Sequence, residues 1–109
     1  MKLLLVIIQD ADLGKLQKAL ITSGFQSTKL ASTGGFLREG NTTLIIGVDD
    51  HEVHRVKEVV RAACHERVKA VAPSPPLVEL QEGYLGQPVE VTVGGAVVFV
   101  LSIEEYVKI

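Results

Sequence analysis

The chain has little cysteine, no long apolar run and no excess of either charge, and each shortage excludes something. Of 109 residues only Cys64 is a cysteine, so an internal disulfide is excluded and a reducing compartment is expected. Net charge is −2, from 11 basic and 13 acidic residues. That balance argues against binding nucleic-acid polymers by phosphate neutralisation. The N-terminal apolar run, about six residues, is shorter than the roughly 7–15 of a signal-peptide core and lacks a cleavage site. No stretch approaches the ~20 apolar residues of a membrane span. We therefore expect a soluble cytoplasmic protein with no membrane partner.

Catalytic patterns are also missing. There is no G-x-S-x-G elbow, no pair of catalytic acids and no Gly-x-x-x-x-Gly-Lys phosphate loop. His51 and His54 stand three apart and could offer two metal ligands. His65 is 14 residues from His51, about 21 Å along one helix, too far to share that metal. A solvated face carrying His51, His54, Glu58, Arg61 and His65 is the better reading. Cys64 has no base on its face, so a small buried thiol is expected rather than a nucleophile. The expectation is no enzyme, no metal and no cofactor.

What is present is apolar: 47% of the residues are hydrophobic, enough for the core of one domain over residues 1–109. Residues 3–8 form a continuous apolar run that suits a central strand buried on both faces. Asp10 or Asp12 can cap a helix through its side chain. Leu13, Leu16 and Leu20 follow at helical spacing, and Gly24 sits where a glycine would end that helix. Strands are expected over residues 25–31 and 42–48, with Gly47 suggesting a bulge or a close approach. Asp49-Asp50 offers a cap for a second helix, whose stripe is Val53, Val56, Val60 and Ala63.

Residues 68–71 give a short fourth strand. A proline-rich stretch from Pro73 to Pro88 has little periodicity, and a loop of that length is often functional. Val89, Val91 and Val93 precede Gly94-Gly95, and residues 96–101 follow, which reads as a hairpin on a primed turn. Ser102 and Glu105 have capping-box spacing for a short terminal helix. The order β-α-β-β-α-β plus a C-terminal hairpin strand is an α+β, ferredoxin-like split βαβ plan. Two helices cover one face of its sheet, and the other face needs a partner.

The most informative stretch is residues 32–43, Ser-Thr-Gly-Gly-Phe-Leu-Arg-Glu-Gly-Asn-Thr-Thr. Gly34 and Gly35 allow a sharp bend or close approach to a ligand. Phe36 offers a flat apolar face, and Asn41 can donate and accept at once. A tight turn with a core phenylalanine explains the same residues, but a bend beside a stacking surface suits a binding loop.

Residues 28–43, Thr-Lys-Leu-Ala-Ser-Thr-Gly-Gly-Phe-Leu-Arg-Glu-Gly-Asn-Thr-Thr, resemble the signature of the PII-like cyclic-di-AMP receptor proteins. Ile7-Ile-Gln-Asp-Ala-Asp12 and Pro88-Val-Glu-Val-Thr-Val-Gly-Gly-Ala-Val-Val-Phe-Val100 match as well, and only residues 68–87 or so agree poorly. The resemblance implies a PII-like homotrimer whose sheets pack at its centre. It implies one cyclic dinucleotide per cleft between subunits, flanked by the loops over residues 33–40 and 73–88. Carried over by position, Phe36 stacks on adenine, and Gly35 and Leu37 line the cleft. Asn41 reads a base edge, and Thr28, beside Gln26 and Ser27, bonds the phosphate side. Gly47 leaves room for a ring, and Phe99 walls the pocket. The chain departs from the pattern at Gly24 and Gln26, where relatives usually carry Asn and Arg, and at Lys108, where Gln is common. The implied output is ordering of the two loops, read by a downstream protein that the sequence does not name. Another adenine nucleotide or a small anion is the alternative ligand, and a metal-handling ferredoxin-like protein, on the His51/His54 pair, is the remoter alternative.

Overall fold

A computed structural model describes residues 1–31, 40–71 and 89–109. Strand β1 (Lys2–Gln9) leads into helix α1 (Asp10–Thr22), β2 (Thr28–Ala31) and β3 (Asn41–Val48). A 3₁₀ turn (Asp50–Glu52) and helix α2 (Val53–Cys64) precede β4 (Arg67–Val71), β5 (Val89–Val93) and β6 (Ala96–Ser102). The main sheet has the order β2-β3-β1-β6, and β4 pairs with β5 in a separate ribbon.

The fold is the expected ferredoxin-like α+β plan. Because β3 is antiparallel to both β1 and β2, β1 and β2 run parallel with β3 between them, and α1 connects them. Strand β6, antiparallel to β1, occupies the place expected for the fourth strand. The ribbon of β4 and β5 is thus an arm inserted between α2 and β6. Residues 89–93 and 96–101 both form strands as expected, but they do not pair with each other. Composition explains the exchange. Beside β1 a strand needs apolar side chains on both faces, which Ala-Val-Val-Phe-Val-Leu supplies. Arg67 and Lys69 alternate with Val68 and Ala70 along β4, and all four are exposed.

Local chemistry sets the ends of the elements. After α1 the amide of Gly24 donates to the Ile21 carbonyl at 3.0 Å and that of Phe25 to the Leu20 carbonyl at 2.8 Å. With Gly24 at φ +84°, this is the Schellman arrangement anticipated from the glycine. Neither Asp10 nor Asp12 caps α1 by its side chain; Gln9 holds the cap position without such a bond. Asp10 Oδ1 instead accepts from Thr42 Oγ1 at 2.5 Å, and Asp12 is buried against Arg67 at 2.8 Å. Asp49 caps the 3₁₀ turn by position, again without a side-chain bond, and α2 starts from Glu52. That places His51 off the α-helix, so the five residues expected on one helix face do not share it. Gly47 makes no bulge, since the β1–β3 register runs unbroken from Lys2↔Val48 to Gln9↔Asn41. Residues 103–109 form no helix.

Alternation divides the main sheet. Leu4, Val6, Ile8, Leu44 and Ile46 are fully buried beneath the helices with Leu16, Leu20, Val56 and Cys64. On the opposite face Leu3, Leu5, Ile7, Ile45 and Val97 are only half-buried, and Leu30, Phe99 and Leu101 are exposed. Strand β1 was expected to be covered on both faces; within one chain it is covered on one.

Candidate functional site

The close of α1 creates a hollow. The Schellman turn reverses the chain at Gly24, and residues 25–27 lead from it into β2. At this turn lies a cavity of about 750 Å³, lined by Gln17 and Ile21 of α1 and by Gly24, Phe25, Gln26, Ser27 and Thr28. The volume falls within the roughly 300–1,000 Å³ of small-molecule sites. None of the lining side chains is charged.

The hollow brings Gln26, Ser27 and Thr28 together with Gly24. The positive φ at position 24 suits glycine, and asparagine is the residue that next most often adopts it. A Cβ there would meet no atom within 4 Å. An asparagine at position 24 would therefore keep this backbone and add only a side chain. Gln17, Ile21 and Phe25 were missed from the sequence. One signal was present: Ile21 is 74% exposed, one turn after Gln17, on the face of α1 that the core does not use.

Other candidates lie elsewhere on the sheet. Thr28, Ile45, Leu5 and Phe99 form one row across all four strands, on the face opposite the helices. Three steps of about 4.8 Å put Thr28 and Phe99 some 14 Å apart, on the two edge strands. Gly47 is two residues beyond Ile45, near the Thr28 end. Asn41 stands opposite Gln9, six residues from Gly47, or about 20 Å along the strand. Lys108 is exposed beyond β6. Gly35, Phe36 and Leu37 lie outside the described residues, as does most of the 33–40 loop and all of the 73–88 loop.

A second hollow, about 430 Å³, lies between α2 and β6, with Cys64 and Val60 at its base and Lys57, Arg61 and His65 around it. Cys64 is fully buried. Burial, and then the nearby Asp12 carboxylate, push its thiol up to about 11, so it stays protonated near neutrality and is a poor nucleophile. Arg67 donates to both Asp12 oxygens, at 2.8 and 3.5 Å, and to the His65 carbonyl at 3.1 Å. The bond to Asp12, with that carboxylate's charge, holds the guanidinium above its ordinary range. This pair fastens the arm to the first turn of α1. Gln9 Oε1 adds to it by accepting from the Gly94 amide at 2.7 Å. Among the described residues, no three His, Cys, Asp or Glu side chains converge as metal ligands, and no helix is long and apolar enough to cross a membrane.

The chain is similar to a crystal structure of a protein of unknown function from Pediococcus pentosaceus. The TM-score is 0.80 at 35% identity, covering 99% of this chain and 96% of that one. A family model described as cyclic-di-AMP receptor matches residues 1–109, the whole length. The chain therefore belongs to the cyclic-di-AMP receptor family.

Proposed function

We propose that the protein is a non-enzymatic PII-like receptor that binds cyclic-di-AMP in the clefts between the subunits of a homotrimer. The observation that carries this reading is the separation of the candidate residues. Gln26, Ser27 and Thr28 lie together at the β2 edge of the sheet, with Gly47 on the adjacent β3, while Phe99 sits on β6 at the other edge. Within one chain Phe99 is no part of the hollow at Gly24–Thr28. A head-to-tail ring of chains brings the β2 edge of one subunit to the β6 edge of the next, and Thr28 then meets a neighbouring Phe99 and Lys108. The half-buried apolar face of β1, β3 and β6 is the surface that such a ring would cover.

In this site the hollow at Gly24–Thr28 takes the sugar–phosphate, Phe36 stacks on adenine, and Gly35 and Leu37 line the cleft. Asn41 belongs to the loop end of the strand and reads a base edge when the 33–40 loop closes over the ligand. Ordering of that loop and of the 73–88 loop is the output shown to a downstream protein, because the ligand contacts one state more than the other. Titration calorimetry with cyclic-di-AMP is the test. Binding is expected, and Phe36→Ala should weaken it by roughly 5- to 150-fold, the ~1–3 kcal/mol of one stacked base. No heat at about a hundred micromolar would sink the ligand, and unchanged affinity in Phe36→Ala would sink the stacking role.

A second reading, another adenine nucleotide or a small anion in the same cleft, rests on Gln26, which stands where the resemblance implies Arg. Gln26 offers phosphate only a neutral donor. Gln26→Arg adds a charge-assisted one, worth about 1 kcal/mol at this exposed position, so cyclic-di-AMP should bind roughly fivefold tighter. Parallel titrations with AMP, ATP and cyclic-di-GMP separate the two readings.

A further inference from the structure

The hollow at Gly24 lies against the C-terminal end of α1, where the last carbonyls carry partial negative charge. An anion placed there is repelled unless a cation covers those carbonyls. The lining supplies none, but the structure holds one against the wall. Arg55, in the first turn of α2, lies with its guanidinium carbon 5.0 Å from the centroid of the Phe25 ring. Its Nη2 donates to the Ser23 carbonyl at 3.3 Å, immediately before Gly24. Its Nη1 donates to Glu52 Oε2 at 2.7 Å. These bonds use two of the five N–H donors of the group, and the side chain is 57% exposed.

We propose that Arg55 is the phosphate-contacting cation of this hollow and that Glu52 tunes it. The inference rests on reading the hollow as a nucleotide site, and it assigns the charge that the lining lacks. The Phe25 ring and the Ser23 carbonyl fix the guanidinium beside the turn, with donors left for a phosphate oxygen. Glu52 competes for the same guanidinium, so ligand phosphate and the Glu52 carboxylate draw on one charge.

The two partners therefore have opposite effects, which separates this role from a structural one. Cyclic-di-AMP is titrated at low and high ionic strength into the wild type, Arg55→Ala, Arg55→Lys and Glu52→Gln. Arg55→Ala should bind about tenfold more weakly at low salt, and the gap should narrow at high salt. Arg55→Lys should fall between, and Glu52→Gln should bind roughly two- to threefold tighter. If the pair only holds α2 against α1, both Arg55→Ala and Glu52→Gln weaken binding, and that outcome overturns the proposal. Equal affinity in Arg55→Ala and wild type overturns it too. Inorganic pyrophosphate, followed by the amide shifts of Gly24, Gln26 and Ser27, gives an arm without the nucleotide. Shifts in the wild type that vanish in Arg55→Ala support the proposal even where cyclic-di-AMP gives no heat, in which case only the dinucleotide reading fails. No shift in the wild type, or equal shifts in Arg55→Ala, overturns the Arg55 assignment itself.

Discussion

Gly94→Ala should cost the protein about 3 kcal/mol, while Gly95→Ala, one residue on, should cost only about 1 kcal/mol. Both glycines have left-handed backbones, φ +82° and +90°, so both substitutions carry the torsional penalty of an L-residue there. Only Gly94 adds a collision. A Cβ on it would stand 2.7 Å from the His65 carbonyl oxygen, 3.3 Å from that of Cys64 and against the Arg67 guanidinium. A Cβ on Gly95 meets nothing within 4 Å. The first two contacts are backbone and cannot swing aside. Moving residue 94 instead pulls its amide from Gln9 and threatens the 2.5 Å bond from the Gly95 amide to the Cys64 carbonyl. Denaturant unfolding of the two variants beside the wild type measures the difference. Equal losses in both would mean that the crowding at Gly94 relaxes freely.

Leu5→Glu should leave the fold standing and break the proposed trimer. Leu5 sits mid-strand in β1, between Ile45 and Phe99 on the face away from the helices, and is half-buried. Its neighbours Leu4 and Val6 point into the core and are fully buried. In the isolated chain the new carboxylate remains open to water. At a trimer centre three carboxylates would be desolvated close together, at several kcal/mol each. Sedimentation equilibrium should show the mass fall from three chains to one of 11.7 kDa, with unchanged far-ultraviolet circular dichroism. Cyclic-di-AMP affinity should be lost with it, since each cleft needs two subunits. A trimeric mass retained in the variant would move the interface off this face, and a monomeric wild type would remove the trimer.

What could be read in the residues follows their range of interaction. The end of α1 at Gly24 was legible because a C-terminal glycine acts over a few residues, and the Schellman bonds to Leu20 and Ile21 formed there. The stripe of α2 was legible from its 3.6-residue period. The side-chain caps at Asp10 and Asp12 were misjudged because each carboxylate found a distant partner, Thr42 or Arg67. Such partners, 32 and 55 residues away, leave no local trace. The hairpin around Gly94-Gly95 failed for a related reason. Positive φ at both glycines was correctly implied, yet β6 gains more by covering the edge of β1 than by pairing with the exposed β5.

For the candidate site, the resemblance pointed to Gln26, Ser27 and Thr28 and to the departure at Gly24, but not to the hollow that they line. That Gln26 to Thr28 share a hollow with Gln17 and Ile21 depends on how the helix end folds over the strand. That Arg55 leans on Phe25 depends on the packing of α1 on α2, 30 residues apart in the chain.

By itself the sequence determined helices α1 and α2, the strands and the ferredoxin-like plan, because period and turn chemistry act between near neighbours. It also carried the motifs that mark the family. The tertiary structure alone decided which strands pair, which carboxylates are buried, and that Thr28 and Phe99 lie on opposite edges of one sheet. Those outcomes turn on competition for the same apolar surface and the same hydrogen bonds among segments far apart in the chain, and that competition is settled only when all of them are present together.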